Sequence, residues 1–224
     1  MKLLVMCEGP NEKKIIEMLL ENNCLSFTED DLLGLTPFHA RQIIKNAQVR
    51  TELNIYTEEV KILRIGDKQS DKLIIPKEYK DRIISVEKYC TKPELEMLFI
   101  IASDLVADYD KVKSSVSPKA FAKANIRCND KKYDNSTRFY EEFFGRDIST
   151  LVDTIKEYKR IHGKTHAKDE HCLSDLLKDR SWCTCTRMMY KAAKAAVSPR
   201  MLRAEETASV LDFLMIRIVM RFCW

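Results

Sequence analysis

The chain has 224 residues, 45% of them hydrophobic and 32% charged, a balance that excludes wholesale disorder and suits one generous domain with or without an appendage. Lys and Arg exceed Asp and Glu by four (38 against 34), too little to mark a nucleic-acid binder from charge alone. The eight cysteines form no framework of short loops, and a run of only five apolar residues precedes Glu8, so a secretory signal is not expected and reduced thiols in a cytoplasmic protein are.

Residues 3–7 are a short continuous apolar run closed by Glu8-Gly9-Pro10-Asn11, the pattern of a buried strand ending in a turn. Pro10 suits the first helical position, because its missing N–H has no intrahelical partner there. Ile15, Ile16, Leu19 and Leu20 then recur at helical spacing, with Glu17 and Glu21 off the stripe. Residues 30–46 read as helical, interrupted near Gly34 and Pro37. Residues 60–65 form a second strand delivered into Gly66-Asp67; 73–75 extend the edge before Pro76, and 83–86 form a further strand.

Thr91-Lys92-Pro93-Glu94 matches a capping box. It predicts a helix through Leu95, Leu98, Phe99 and Ala102 to about Tyr109, with Glu96 on its solvated side. A break at 114–118, a weaker helix to Ala124, a polar loop at 129–136 and helices at 139–144 and 148–161 follow. Beyond Lys178 the chain turns Met-, Ala- and Arg-rich, which places a boundary near residue 180.

This succession predicts an α/β fold, a small, mainly parallel sheet flanked by helices, with a helical C-terminal region. The partition is 1–110 for the α/β domain, 111–180 for a helical continuation carrying a basic segment, and 181–224 for a helical appendage. Each of the first two strands stops at an acid beside a glycine, which holds a carboxylate at the rim of the sheet, where open α/β sheets bind ligands. Glu8, Asp67 and Asp71 are the candidate catalytic and metal-binding residues, with Glu12 and Glu94 in reserve. Hard oxygen donors of this kind suit Mg2+ or Mn2+. Arg64 or Lys68 could neutralise a phosphate beside them.

These residues resemble the TOPRIM family, shared by topoisomerases, primases and phage-defence and repair nucleases. Val5-Met6-Cys7-Glu8-Gly9-Pro10-Asn11-Glu12 and Arg64-Ile65-Gly66-Asp67 carry the resemblance, over roughly the first half of the chain. In that family a Glu-Gly after the first strand and an Asp-x-Asp after a later one hold Mg2+. Here three residues separate Asp67 from Asp71, where the family has one. Pro93-Glu94-Leu95-Glu96 is similar to the Glu-bearing helix start of small TOPRIM-like defence proteins. The resemblance implies Mg2+-dependent phosphodiester cleavage of DNA or RNA and a role in defence against phage or mobile DNA.

Between Lys111 and Arg138, eight basic residues face two acids, a local excess of six. Lys111, Lys113, Lys119, Lys123, Lys131 and Lys132 could follow a nucleic-acid backbone, with Phe121, Tyr133 and Phe139 stacking on bases. Arg187, Lys191 and Lys194 form a second basic stripe. Gly163-Lys164-Thr165 is not a phosphate loop: the required first glycine is Tyr158, and no strand precedes it. His162, His166, His171 and Cys172, with Cys183 and Cys185, are a zinc alternative, set against solvated histidines and buried thiols, and zinc is the less expected. Residues 200–224 read as an apolar helix for a protein partner or a second copy rather than a membrane span, since Asp212, Arg217 and Arg221 interrupt it. A non-catalytic interaction subunit binding through that helix is therefore the alternative function.

Overall fold

The two apolar runs that end at Glu8 and Asp67 are neighbouring strands of one sheet. The computed structural model describes residues 1–67, 72–91, 94–162 and 170–178. Lys68, Asp71, the Gly163-Lys164-Thr165 segment, His166, Cys183, Cys185, the basic stripe from Arg187 to Lys194 and the helix expected at 200–224 lie outside the described residues. In chain order the elements are β1 (Lys2–Cys7), α1 (Pro10–Glu21), β2 (Phe38–His39), α2 (Ala47–Ile55), β3 (Val60–Gly66), β4 (Ile83–Cys90), α3 (Met97–Ala102), α4 (Val106–Val112), α5 (Pro118–Asn125), β5 (Arg127–Cys128), β6 (Lys131–Lys132), α6 (Thr137–Phe144), α7 (Ile148–His162) and β7 (Glu170–Cys172).

Five strands form an all-parallel sheet in the order β2-β1-β3-β4-β7, and β5 and β6 form a separate antiparallel ribbon. Alternation along each strand sends side chains to two different cores. Val5, Cys7, Leu63 and Ile65 pack with Ile15, Ile16 and Leu19 of α1 and with residues of α3, α6 and α7. Leu4, Met6, Val60 and Ile62 pack on the opposite face with Val49 and Leu53 of α2. A parallel sheet must be covered on both sides, which is why β1 reads as an unbroken apolar run over residues 3–7 and β3 as an apolar run interrupted only by Lys61 and Arg64, neither of them alternating. The larger core continues from β1 through residues 111–177, and Met1–Lys178 is one compact unit. No break falls at 110/111, because β7 completes the sheet begun by β1.

Several local expectations are corrected. Residues 30–46 hold two single 3-10 turns, Glu29–Asp31 and Leu33–Leu35, and the short β2; the helix comes later, at α2, where the Asn46 side chain caps it by accepting from the Val49 N–H at 3.0 Å. Residues 72–76 pair with no strand. Their backbone is held instead by the Gln42 side chain, which donates to the Lys72 carbonyl and accepts from the Ile74 N–H, each at 3.0 Å. The capping box at Thr91 does not form: the Thr91 N–H continues the sheet by donating to the Gly66 carbonyl (3.2 Å), and α3 starts only at Met97. Asp104, with φ of 57°, then separates α3 from α4 inside the single helix expected there. Among the described residues no helix is long and apolar enough to cross a membrane.

Candidate functional site

In a parallel sheet all carboxyl ends lie along one edge, and here the register aligns Cys7 with His39 on one side and with Ile65 on the other, then Gly66 with Cys90 and Cys90 with Cys172. The connection from β1 runs outward to β2, whereas the chain from β3 runs the other way through β4 to β7. That reversal opens a crevice beyond β1 and β3, the position at which doubly wound sheets bind ligands. Glu8 follows β1 there and Asp67 follows β3. The Glu8 N–H donates to the Ile65 carbonyl at 2.8 Å, so its backbone belongs to the ladder and its position is fixed by the sheet.

Two glycines let the carboxylates fold in. A Cβ on Gly66 would lie 2.6 Å from Glu8 Cβ, and one on Gly9 would lie 2.6 Å from Glu12 Oε2. Arg41, in the loop after β2, pairs with Glu8 through Nη2 to Oε1 at 3.2 Å, and its Nε donates to the Glu8 carbonyl at 3.4 Å. The Glu8 side chain is 12% exposed and that of Arg41 62%. The guanidinium thus caps the acid from the solvent side.

Glu12, on the first turn of α1, has its pKa raised above the usual carboxylate range, by burial first and then by the charges of Asp67, Glu8 and Glu96, against a lowering backbone hydrogen bond. Three other carboxylates therefore act on Glu12. Burial first and Glu12 second also push up the Cys7 thiol beneath them, which keeps it protonated.

Glu96 is the member that sequence reasoning placed in solvent. It is 6% exposed, at the N-terminal end of α3, and accepts from the Tyr133 hydroxyl at 3.0 Å. With the Asn135 amide oriented to satisfy its neighbours, its nitrogen donates to Glu96 Oε1 at 3.2 Å and its oxygen accepts from Lys119 Nζ at 3.1 Å. Since Tyr133 gives its proton to Glu96, the Tyr140 hydroxyl 3.1 Å away donates to Tyr133. Asn11 Nδ2, beside Glu12 on α1, donates to the Asn135 carbonyl at 3.2 Å. The network joins the crevice to α5, β6 and α6. The sequence signal was an acid inside Leu95-Glu96-Met97-Leu98-Phe99, flanked closely by apolar residues. Arg41 had no such signal, because a two-residue strand leaves no periodicity to place it.

The remaining candidates separate. Glu94 accepts from the Lys119 N–H at 2.8 Å and so serves the first turn of α5. Arg64 is 7% exposed, on the β3 face that also carries Val60 and Ile62, and its guanidinium is not displayed to solvent. Lys111, Lys113 and Lys131 are paired with Asp108 (2.7 Å), Asp110 (3.0 Å) and Glu142 (3.4 Å). Phe121, Tyr133 and Phe139, expected to stack on bases, are all buried in the core. His171 is exposed with its ring 5.3 Å from that of Tyr89, while Cys172 next to it is buried.

Glu8 and Asp67 supply hard oxygens, and the glycine at Gly66 leaves room for the first of them. Among the described residues no group of three or more His, Cys, Asp or Glu side chains is arranged to hold a metal ion. Mg2+ does not require one: it keeps several waters and is commonly held by one or two carboxylates plus substrate phosphate. The donor set fits that ion. No family model matches the chain, and comparison with curated proteins and with solved structures gives no match either.

Proposed function

We propose that this chain is a Mg2+- or Mn2+-dependent enzyme that cleaves phosphodiester bonds of DNA or RNA at the crevice beyond β1 and β3. The observation that carries the reading is the gathering of acids at the carboxyl ends of neighbouring strands: Glu8, fixed by its N–H on the Ile65 carbonyl and folded across Gly66, follows β1, Asp67 follows β3, and both charges, after burial, help raise the pKa of Glu12. Such crowding is unfavourable by itself and becomes favourable around a divalent cation. Glu8 and Asp67 would hold the ion, and Glu12 would support them from α1. A bound Mg2+ supplies charge neutralisation at the phosphate and an activated water. Arg41 orients Glu8 and presents an exposed guanidinium, the group best matched to a phosphate oxygen pair.

The resemblance of the Val5–Glu12 and Arg64–Asp67 segments to the TOPRIM family supports the same chemistry, and with it a role in defence against phage or mobile DNA. Calorimetric titration with Mg2+ and Mn2+, paired with cleavage of labelled DNA and RNA, tests the reading. Wild type is expected to bind and cleave, and Glu8→Gln and Asp67→Asn to lose both. Wild-type cleavage by the two variants together would remove the enzyme.

A further inference from the structure

We infer that the β5–β6 ribbon, with Arg127 and Lys132 side by side on it, holds the sugar-phosphate backbone of a nucleic acid by charge, without reading bases. The inference rests on the reading above and identifies the surface that would deliver the polyanion to the crevice. Arg127 and Lys132 are register partners across the two strands, and both are exposed. Like charges directly opposite one another on a ribbon are destabilising, and an external anion between them removes the repulsion. Among the described residues no ion pair involves either, whereas Lys111, Lys113 and Lys131 each have an acid. Lys123 adds an exposed charge on α5, the helix packed against β6. The nearby acids do not cancel this set: Glu142 is shared by Arg138 and Lys131, Asp134 accepts from the Ser136 N–H and hydroxyl, and Asp130 stands at the turn.

The ribbon is built to hold its shape. Asn129 and Asp130 both have positive φ (48° and 64°), the pairing that closes a two-residue hairpin with the natural strand twist, and Arg146 donates to the Asn129 side chain. β6 runs directly into Tyr133, whose hydroxyl touches Glu96, so the ribbon and the acidic crevice are joined through one side chain. Phe121, Tyr133 and Phe139, the aromatics of this segment, face the core and are not offered to bases. Binding is therefore expected to be strongly salt-dependent and indifferent to sequence.

Fluorescence anisotropy of the full chain in EDTA, with labelled oligothymidylate and a mixed-sequence duplex, tests this between about 50 and 200 mM salt. Arg127→Gln with Lys132→Gln should weaken both ligands and reduce the log–log salt slope by about 1.8 for the duplex and 1.4 for the single strand, two phosphate contacts' worth. Lys111→Gln with Lys113→Gln should change neither. Absence of wild-type binding, or equal losses from the two pairs, overturns the inference. So does unchanged binding in the ribbon variant, including the case where it self-associates by light scattering because the charges guarded a strand edge. Cleavage is scored separately. Ribbon-dependent binding without Mg2+-dependent cleavage removes the nuclease and keeps the surface; cleavage with ribbon-independent binding removes the surface alone.

Discussion

The Glu8 side chain lies across Gly66: a methyl group there would meet Glu8 Cβ at 2.6 Å and the carboxylate oxygen Oε2 as well. Rotating the carboxylate relieves the second contact but not the first, because Cβ moves only with the backbone. Gly66 is thus a glycine for close approach.

Gly66→Ala is expected to cost about 1–3 kcal/mol by overpacking. By displacing a ligand's support it should also weaken Mg2+ binding about 10–100-fold. Gly9→Ala is the control, since the added methyl meets only the terminal oxygen of Glu12, which can swing away. Equal calorimetric affinities for Gly66→Ala and wild type would disconnect this glycine from the site.

Glu12 gives a pH dependence with a definite sign. Its folded pKa lies above the ordinary value of 4.5, so its contribution to stability is fully present below that value and is lost as pH rises through the folded pKa. Glu12→Gln cannot ionise. The variant's Tm should match wild type near pH 4 and exceed it increasingly above 4.5, by about 2–4 °C per kcal/mol of burial cost and repulsion removed. Mg2+ should raise the wild-type Tm at neutral pH and narrow that gap. Thermal melts across pH in which the gap shrinks as pH rises would contradict the raised pKa of Glu12.

Much of this arrangement is legible in the sequence, and the failures have physical causes. β1 and β3 announce themselves because strands covered on both faces are apolar without alternation, continuous in β1 and broken only by Lys61 and Arg64 in β3, and α1 because its stripe is regular. β2 and β7 contribute two and three residues, too few for any period. α2 carries little signal because only Val49 and Leu53 of its nine residues are buried, while the leucines at 32, 33 and 35 imitate a helix just before it. Glu96 was misplaced with the capping box. A helix starting at Thr91 would turn it to solvent, and the real start at Met97 turns it inward. The basic segment misleads differently: its charges are exposed apart from the half-buried Lys119, but its aromatic residues belong to partners that only the fold supplies.

Phe99 is the chief of those partners. Fully buried on α3, its ring lies 4.6–5.5 Å from those of Tyr133, Phe139, Tyr140, Phe143 and Phe144. Phe99→Ala is expected to cost about 3–5 kcal/mol, a large share of a domain's stability. Phe99→Leu keeps most of the volume and should cost clearly less. Urea midpoints that rank the two variants equally would show that ring packing is not what this cluster contributes.

The hydroxyls of Tyr133 and Tyr140 lie 3.1 Å apart, yet their deletions should differ. Tyr133 donates to the buried Glu96 carboxylate, and hydrogen bonds to charged groups are worth about 1.5–3 kcal/mol. Tyr140 donates to another phenol, a neutral bond worth about 0.5–1.5 kcal/mol. Tyr133→Phe leaves Glu96 with the Asn135 amide and deprives the carboxylate of its phenol, whereas Tyr140→Phe leaves every charge as it was. Tyr133→Phe should therefore lower the urea midpoint further. Combining it with Glu96→Gln should recover part of the loss, because the neutral amide has less need of the missing donor. If Tyr140→Phe proves as costly as Tyr133→Phe, or if Glu96→Gln only adds to the damage, the carboxylate is not the centre of this network.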